Sequence, residues 1–311
     1  MNTKQHAGNM FVRIAFLLCL LVSSAFAEDA IQIYAPPTPS SIPFILAAQQ
    51  MDDIDITIFA DHSQAHTLFL RGDVPMLVTG LSVGINFFKQ GVPVQLVNSS
   101  VSGLTYLITK GKQVSSFKEL AGEDIYLPFE GSPIEEITKF LAEKEGVVWG
   151  KELMPKYAPF PSALELLKAG KISVIALPEP SATVAAAQKD VFVSFGYQEK
   201  WDALTGSSGG YPQVGMFVKK EWAEQHRELL AKLHQNLQAS IQRVQEHPEE
   251  VVAASKDYFQ FPEKVLIASL KRTTFALKIN ADLQQDVSGY YQTIGQPLDD
   301  SFQSFFYRDP Q

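Results

Sequence analysis

The sequence predicts an α/β fold built on mainly parallel sheets. Three observations carry it. Short aliphatic, β-branched runs alternate with segments of helical spacing, and several of those helical segments close on a glycine. One helix-glycine-strand stretch, 68–78, also recurs as 166–176, with Gly72 falling on Gly170. In each copy the strand runs into a loop, Thr79-Gly80 in one and Pro178-Glu179 in the other, at the strand end where open α/β sheets bind ligands. Two such units facing one another would form a cleft.

In chain order, strands are expected at 30–34, 54–59, 74–79, 92–97, 104–109, 124–128, 172–177, 191–195 and 214–218. Helices over 63–70, 82–90 and 133–145 stop at Gly72, Gly91 and Gly146, where a left-handed cap is wanted. Two helix starts carry a Ser with Glu three residues on, Ser132 with Glu135 and Ser162 with Glu165, the pattern of a capping box. Pro133 adds a residue suited to the first helical position. From about residue 220 helix dominates, over 221–246, 248–259, 262–272 and 281–294. In the first of these Trp222, Leu229, Leu233, Leu237, Ile241 and Val244 form one apolar stripe, which reads as a helix packed on the outside of a domain.

At 311 residues, with 46% hydrophobic and 19% charged side chains, the chain has the composition of a water-soluble globular protein of one large or two ordinary domains. Its net charge of −8 and the absence of a basic stretch argue against a nucleic-acid partner, because that affinity comes from clustered cations. Residues 1–27 read as a secretory signal peptide: Lys4 and Arg13 precede an apolar run over 14–22, and Ala25 and Ala27 flank Phe26 before a cleavage site after Ala27. The run is too short to anchor the chain in a bilayer. Leu17-Leu18 before Cys19 speak against a lipid anchor, and Met10 is an alternative start. With Lys4 and Arg13 gone, 24 basic side chains face 34 acidic ones, and Cys19 leaves with the leader. The mature chain therefore has no disulfide, no thiol nucleophile and no thiolate metal site. An exported, acidic, cysteine-free chain of this size fits the Gram-negative periplasm.

Five segments in order carry a resemblance: residues 70–74 (Leu-Arg-Gly-Asp-Val), 91–94 (Gly-Val-Pro-Val), 116–125 (Ser-Phe-Lys-Glu-Leu-Ala-Gly-Glu-Asp-Ile), 163–172 (Ala-Leu-Glu-Leu-Leu-Lys-Ala-Gly-Lys-Ile) and Glu179-Pro180. The chain resembles the substrate-binding proteins of ABC importers in the nitrate, sulfonate, taurine and thiamine-precursor group, over nearly all of its mature length. The resemblance implies a two-lobed periplasmic-binding-protein fold of type II, each lobe a mainly parallel sheet flanked by helices, closing on its ligand by hinge motion. It implies a first lobe of 28–107 plus 213–311, a second of 108–212, and hinge strands near 105–108 and 212–215. The implied partners are a small-molecule ligand, a permease and its ATPase. A monomer without cofactor or metal is expected. The proline-rich loop at 36–41, Val74-Pro75 after Asp73, and Ser173 depart from the commonest pattern of that group and leave the solute open.

Six loops are expected at the cleft, over 38–41, 79–82, 99–102, 129–132, 178–181 and 207–213. They are rich in hydroxyls and glycine and hold neither Lys nor Arg. The candidate ligand contacts are Thr38, Ser40, Ser41, Thr79, Gly80, Ser82, Ser100, Glu130, Gly131, Ser132, Glu179 and Tyr211. Helix starts at Ser40 or Ser41, Ser82 and Ser132 offer free N–H groups to a sulfonate or carboxylate. Glu130 and Glu179 favour instead a cation or a ring N–H donor such as an aminopyrimidine. Each serine has an alternative role as a helix cap, Tyr211 as packing, and Phe44 and Phe129 as core.

His62 and His66 are spaced to share a helix face, but two histidines without a third ligand or a general base read as exposed helical residues rather than a metal site. No nucleophile elbow, Walker loop or dinucleotide fingerprint is present. The reading is thus a non-enzymatic receptor that delivers a small organic solute, a sulfonate-like anion or a pyrimidine-type heterocycle, to an importer. A receptor for a signalling partner and an enzyme on the same scaffold are the alternatives.

Overall fold

The computed structural model describes residues 30–309; the leader, its cleavage site and Cys19 lie outside the described residues. Eleven strands form two sheets among the described residues. They are β1 (Ile31–Ala35), β2 (Ile54–Ile58), β3 (Met76–Gly80), β4 (Val94–Gly103), β5 (Thr105–Lys110), β6 (Glu123–Leu127), β7 (Leu153–Tyr157), β8 (Val174–Pro178), β9 (Val191–Gly196), β10 (Val214–Lys219) and β11 (Thr274–Lys278).

The first sheet has the order β11-β4-β10-β3-β1-β2 and the second β7-β6-β8-β5-β9. The same plan underlies both. β1 lies between β2 and β3 in parallel, as β6 lies between β7 and β8; β10 in the first sheet and β5 in the second run antiparallel to both neighbours, and β11 is antiparallel to β4, so both sheets are mixed rather than mainly parallel as expected. The recurrence of 68–78 at 166–176 is therefore structural: each copy ends a helix on a left-handed glycine, Gly72 at φ 87° and Gly170 at φ 69°, and enters the third strand of its sheet. The chain passes to the second sheet between Gly103 and Thr105 and returns between Gly196 and Val214. Parallel sheets bury both faces, which is why Val174–Pro178 is buried at every residue.

Helices cover those faces. The stripe Leu230, Leu233, Leu237, Ile241 and Val244 of the helix Arg227–Glu246 is buried and joins the wholly buried helix Ile42–Ala48 in one core with β1, β3 and β10. Ile108, Leu167, Ile175 and Ala182 make a smaller core on the outer face of the second sheet. A third cluster crosses between the lobes, from Leu77 and Phe217 on the first sheet to Ile125 and Leu127 on the second.

Several expectations are corrected. The helix Phe160–Lys168 starts two residues before Ser162, with Pro159 as its N-cap, so Ser162 and Glu165 do not form a capping box. At Ser132 the hydroxyl accepts from Glu135 N at 3.1 Å, but the carboxylate of Glu135 returns to Gly131 N, at 2.6 Å, rather than to Ser132. The helix expected over 221–246 breaks at His226. Residues 99–102 are not a loop but the end of the ten-residue β4. β7 was not expected because Pro155 interrupts it; it pairs on one side only, and an edge strand tolerates the missing donor. β11, inside a region read as helical, and the helices Ser181–Ala186 and Tyr197–Thr205 were also not expected. Among the described residues no helix is long and apolar enough to cross a membrane.

Candidate ligand-binding cleft

The carboxyl ends of β1, β3, β6 and β8 open onto a cleft of about 550 Å³ between the two sheets. This is where a change in strand order leaves a crevice. Pro36 and Thr38 follow β1, Thr79 and Gly80 end β3, Phe129 follows β6, and Ser181 follows β8. The floor is formed by the two crossing segments, which touch through a buried hydrogen bond from Thr105 Oγ1 to Gln213 Oε1 at 3.1 Å.

Five of the expected contacts, Thr38, Thr79, Gly80, Ser132 and Tyr211, line the cleft. The others are placed elsewhere. Ser40 and Ser41 are wholly buried; Ser41 Oγ donates to Pro36 O, and Ser40 Oγ lies 2.6 Å from Thr38 Oγ1. Ser100 is buried inside β4, and Glu130 and Gly131 are exposed. Glu179, at 0% exposure, is paired with Arg272 at 3.0 Å and accepts from Thr183 N at 3.1 Å. Ser82 Oγ donates to Gly131 O at 3.2 Å, linking the first lobe to the second. Phe44 is core as expected, whereas Phe129 is 37% exposed and lines the cleft.

The lobes meet closely at this rim. A Cβ on Gly80 would lie 2.4 Å from Pro133 Cγ on the opposite lobe. Gly80→Ala is therefore expected to wedge the rim open, raising the radius of gyration in solution scattering and weakening solute binding; unchanged scattering would show that the rim contact does not set the lobe separation.

Sequence reasoning missed the residues that dominate the interior. Glu136, on the helix Pro133–Lys144, accepts from Tyr290 Oη at 2.9 Å, and Tyr290 belongs to the helix Asn280–Thr293 of the other lobe. The rings of Tyr211 and Tyr290 are stacked, 5.7 Å apart at 16°, and both line the cleft. Trp201 packs on both. His62 and His66 are half-buried cleft residues, not the exposed pair expected; they lie in a row of edge contacts from Phe59 to Phe87, and His66 Nε2 is 3.2 Å from Thr79 Oγ1. The available signal was periodicity: Glu136 stands four residues before buried Phe140, and Leu283, Val287 and Tyr290 form one buried face.

No protein-family model matches the chain, and no curated protein matches it. Solved structures do. The ligand-binding component of an ABC-type import system from Staphylococcus aureus, with zinc bound, is similar with a TM-score of 0.74 at 12% identity, over 90% of this chain and 97% of its own. The periplasmic aliphatic sulphonate-binding protein of Escherichia coli gives 0.70 at 16%, over 92% and 94%. A Candida albicans protein described as exhibiting the generic periplasmic-binding-protein fold gives 0.65 at 12%, over 91% and 97%. The chain has the periplasmic-binding-protein fold.

In this periplasmic-binding-protein fold the chain itself takes some of the N–H groups at the helix starts beside the cleft. Glu135 takes Gly131 N, Glu179 takes Thr183 N, and Leu81 N donates to Gln213 O at 3.0 Å. No Lys or Arg lines the cleft, among the described residues. Burial holds His66 down to about 4, helped by His62 and opposed by Asp61, and burial lowers His62 as well, so both are neutral at pH 7. Burial pushes Glu136 up to about 7 against its hydrogen bond from Tyr290, the influence of Tyr291 and the field of Lys89. Among the described residues no group of three or more His, Cys, Asp or Glu side chains is placed to hold a metal.

Proposed function

We propose that the protein is an exported solute receptor of the importer type, which encloses a small organic solute between its lobes in the periplasm and presents it to a membrane permease with its ATPase. The observation that supports this reading is the enclosed cleft of about 550 Å³, walled by strand ends from both lobes and floored by only two crossing segments, Thr105 on one and Gln213 on the other. Such a joint lets the lobes swing, and a solute that touches both lobes favours the closed state. The solute is largely apolar: prolines and aromatic rings such as Phe129, Phe160 and Phe261 supply much of the wall. A sulfonate, the solute named for the Escherichia coli neighbour, finds no Lys or Arg lining the cleft.

The test is a thermal-shift and scattering screen of residues 28–311 against sulfonates, aromatic acids, amines and pyrimidines. A solute of micromolar affinity supplied at millimolar concentration stabilises the fold by about 4 kcal/mol and reduces the radius of gyration. Binding without compaction would remove the transport reading; a best response to an alkanesulfonate would remove the solute class.

A further inference from the structure

Resting on that receptor reading, we infer that the cleft takes a basic nitrogen compound, an amine or a protonated aza-heterocycle, with Glu136 as its counter-ion and the Tyr211 and Tyr290 rings as its aromatic wall.

The lining of the cleft supports this. The cleft holds two carboxylates, Asp61 and Glu136, and no Lys or Arg. Asp61 is engaged as the N-cap of the helix His62–Arg71, accepting from Gln64 N at 2.8 Å. Glu136 is the one left to face a solute, since its partners are phenols rather than cations. Beside it, the rings of Tyr211 and Tyr290, nearly wholly buried and stacked on each other, close that side of the cleft with aromatic groups. Glu135 and Glu179 take Gly131 N and Thr183 N near the helix starts, and Asp61 and Glu136 oppose an anionic solute with like charge.

The groups acting on Glu136 come from three elements. Tyr290 and Tyr291 reach it from the helix Asn280–Thr293, Tyr211 from the second crossing segment, and Lys89 from the end of the helix Leu81–Lys89. Lys89 does not line the cleft, so its charge biases the carboxyl without competing for the site. The carboxyl, held at about 7, is divided between its two forms at neutral pH, and an incoming cation displaces the proton.

The test uses residues 28–311 and three probes with one ring and three charges: benzylamine, benzyl alcohol and benzenesulfonate, by calorimetric titration at pH 6 and pH 8. Benzylamine is expected to bind at least tenfold more tightly than either other probe. Its affinity is expected to rise about tenfold from pH 6 to pH 8, as the ionised fraction of a group titrating near 7 goes from about a tenth to about nine-tenths. Glu136→Gln should remove both the preference and the slope. The circular dichroism and the cooperativity of the probe-free melting curve of Glu136→Gln should match those of the wild type, which separates loss of the counter-ion from loss of the fold. Preference for benzenesulfonate, or an unchanged slope in Glu136→Gln, overturns the inference while the receptor reading stands. If none of the three probes binds at millimolar concentration, the inference falls, while the receptor reading is decided by the wider screen.

Discussion

Replacing Arg272 by Met is expected to lower stability by about 3–5 kcal/mol at neutral pH, because it leaves the wholly buried carboxylate of Glu179 without its partner. For a chain of this size that corresponds to a fall of roughly 10 °C in Tm. Arg272 stands between the helix Glu263–Leu270 and β11 on the first lobe, while Glu179 follows β8 on the second, so the pair ties the lobes together. Tyr106 completes the junction: its ring lies 4.5 Å from the guanidinium and its hydroxyl donates to Arg272 O at 2.6 Å. Burial pushes Glu179 up, against its hydrogen bond from Thr183 and the charge of Arg272. In the variant the opposing charge is gone, so the loss should be smaller in mild acid, where the carboxyl can protonate. Adding Glu179→Gln should restore much of the lost stability. Urea unfolding of the single and double variants reads this directly; additive losses in the double variant would show that the two side chains do not act as a pair.

Two opposed pH dependences follow from the cleft walls. Glu136 titrates near 7 in the folded chain and near 4.5 when exposed. Between those values the folded chain keeps a proton that the unfolded chain has released, so stability falls as pH rises, by about 3 kcal/mol across the window. His66 titrates near 4 in the folded chain against 6.5 when exposed. Here the unfolded chain binds the proton first, so stability falls as pH drops from 6.5 to 4, by a similar amount of about 3 kcal/mol. Between about 4.5 and 6.5 the slopes of these two groups oppose and largely cancel each other. Glu136→Gln unmasks the histidine, giving stability that rises with pH up to 6.5. His66→Asn unmasks the carboxyl, giving stability that falls from 4.5 to 7. Denaturant midpoints at four pH values between 4.5 and 7.5 decide it, and parallel curves for all three proteins would refute both shifts.

The sequence by itself determined the α/β class, nine of the eleven described strands and the helical C-terminal region, because those depend on local periodicity and glycine caps. It also carried the repeat of 68–78 at 166–176, and with it the two similar sheets. Pro155 and the helix-rich neighbourhood of Thr274–Lys278 hid the other two strands, since an edge strand takes its conformation from one partner rather than from its own alternation.

The chemistry of the cleft was decided by the tertiary structure. Loops at strand ends could be named in advance, and Thr38, Thr79, Gly80, Ser132 and Tyr211 do line the cavity. Which N–H groups near a helix start stay free depends on what folds back over them, as Glu135 does at Gly131 N and Glu179 at Thr183 N. Glu136 and Tyr290 lie 154 residues apart and meet only because the helices of opposite lobes face each other. Burial, which changes the protonation of Glu136 and His66, is a property of that meeting. A chain pattern shows which residues can face a core; the charge they carry there depends on what arrives from the other side.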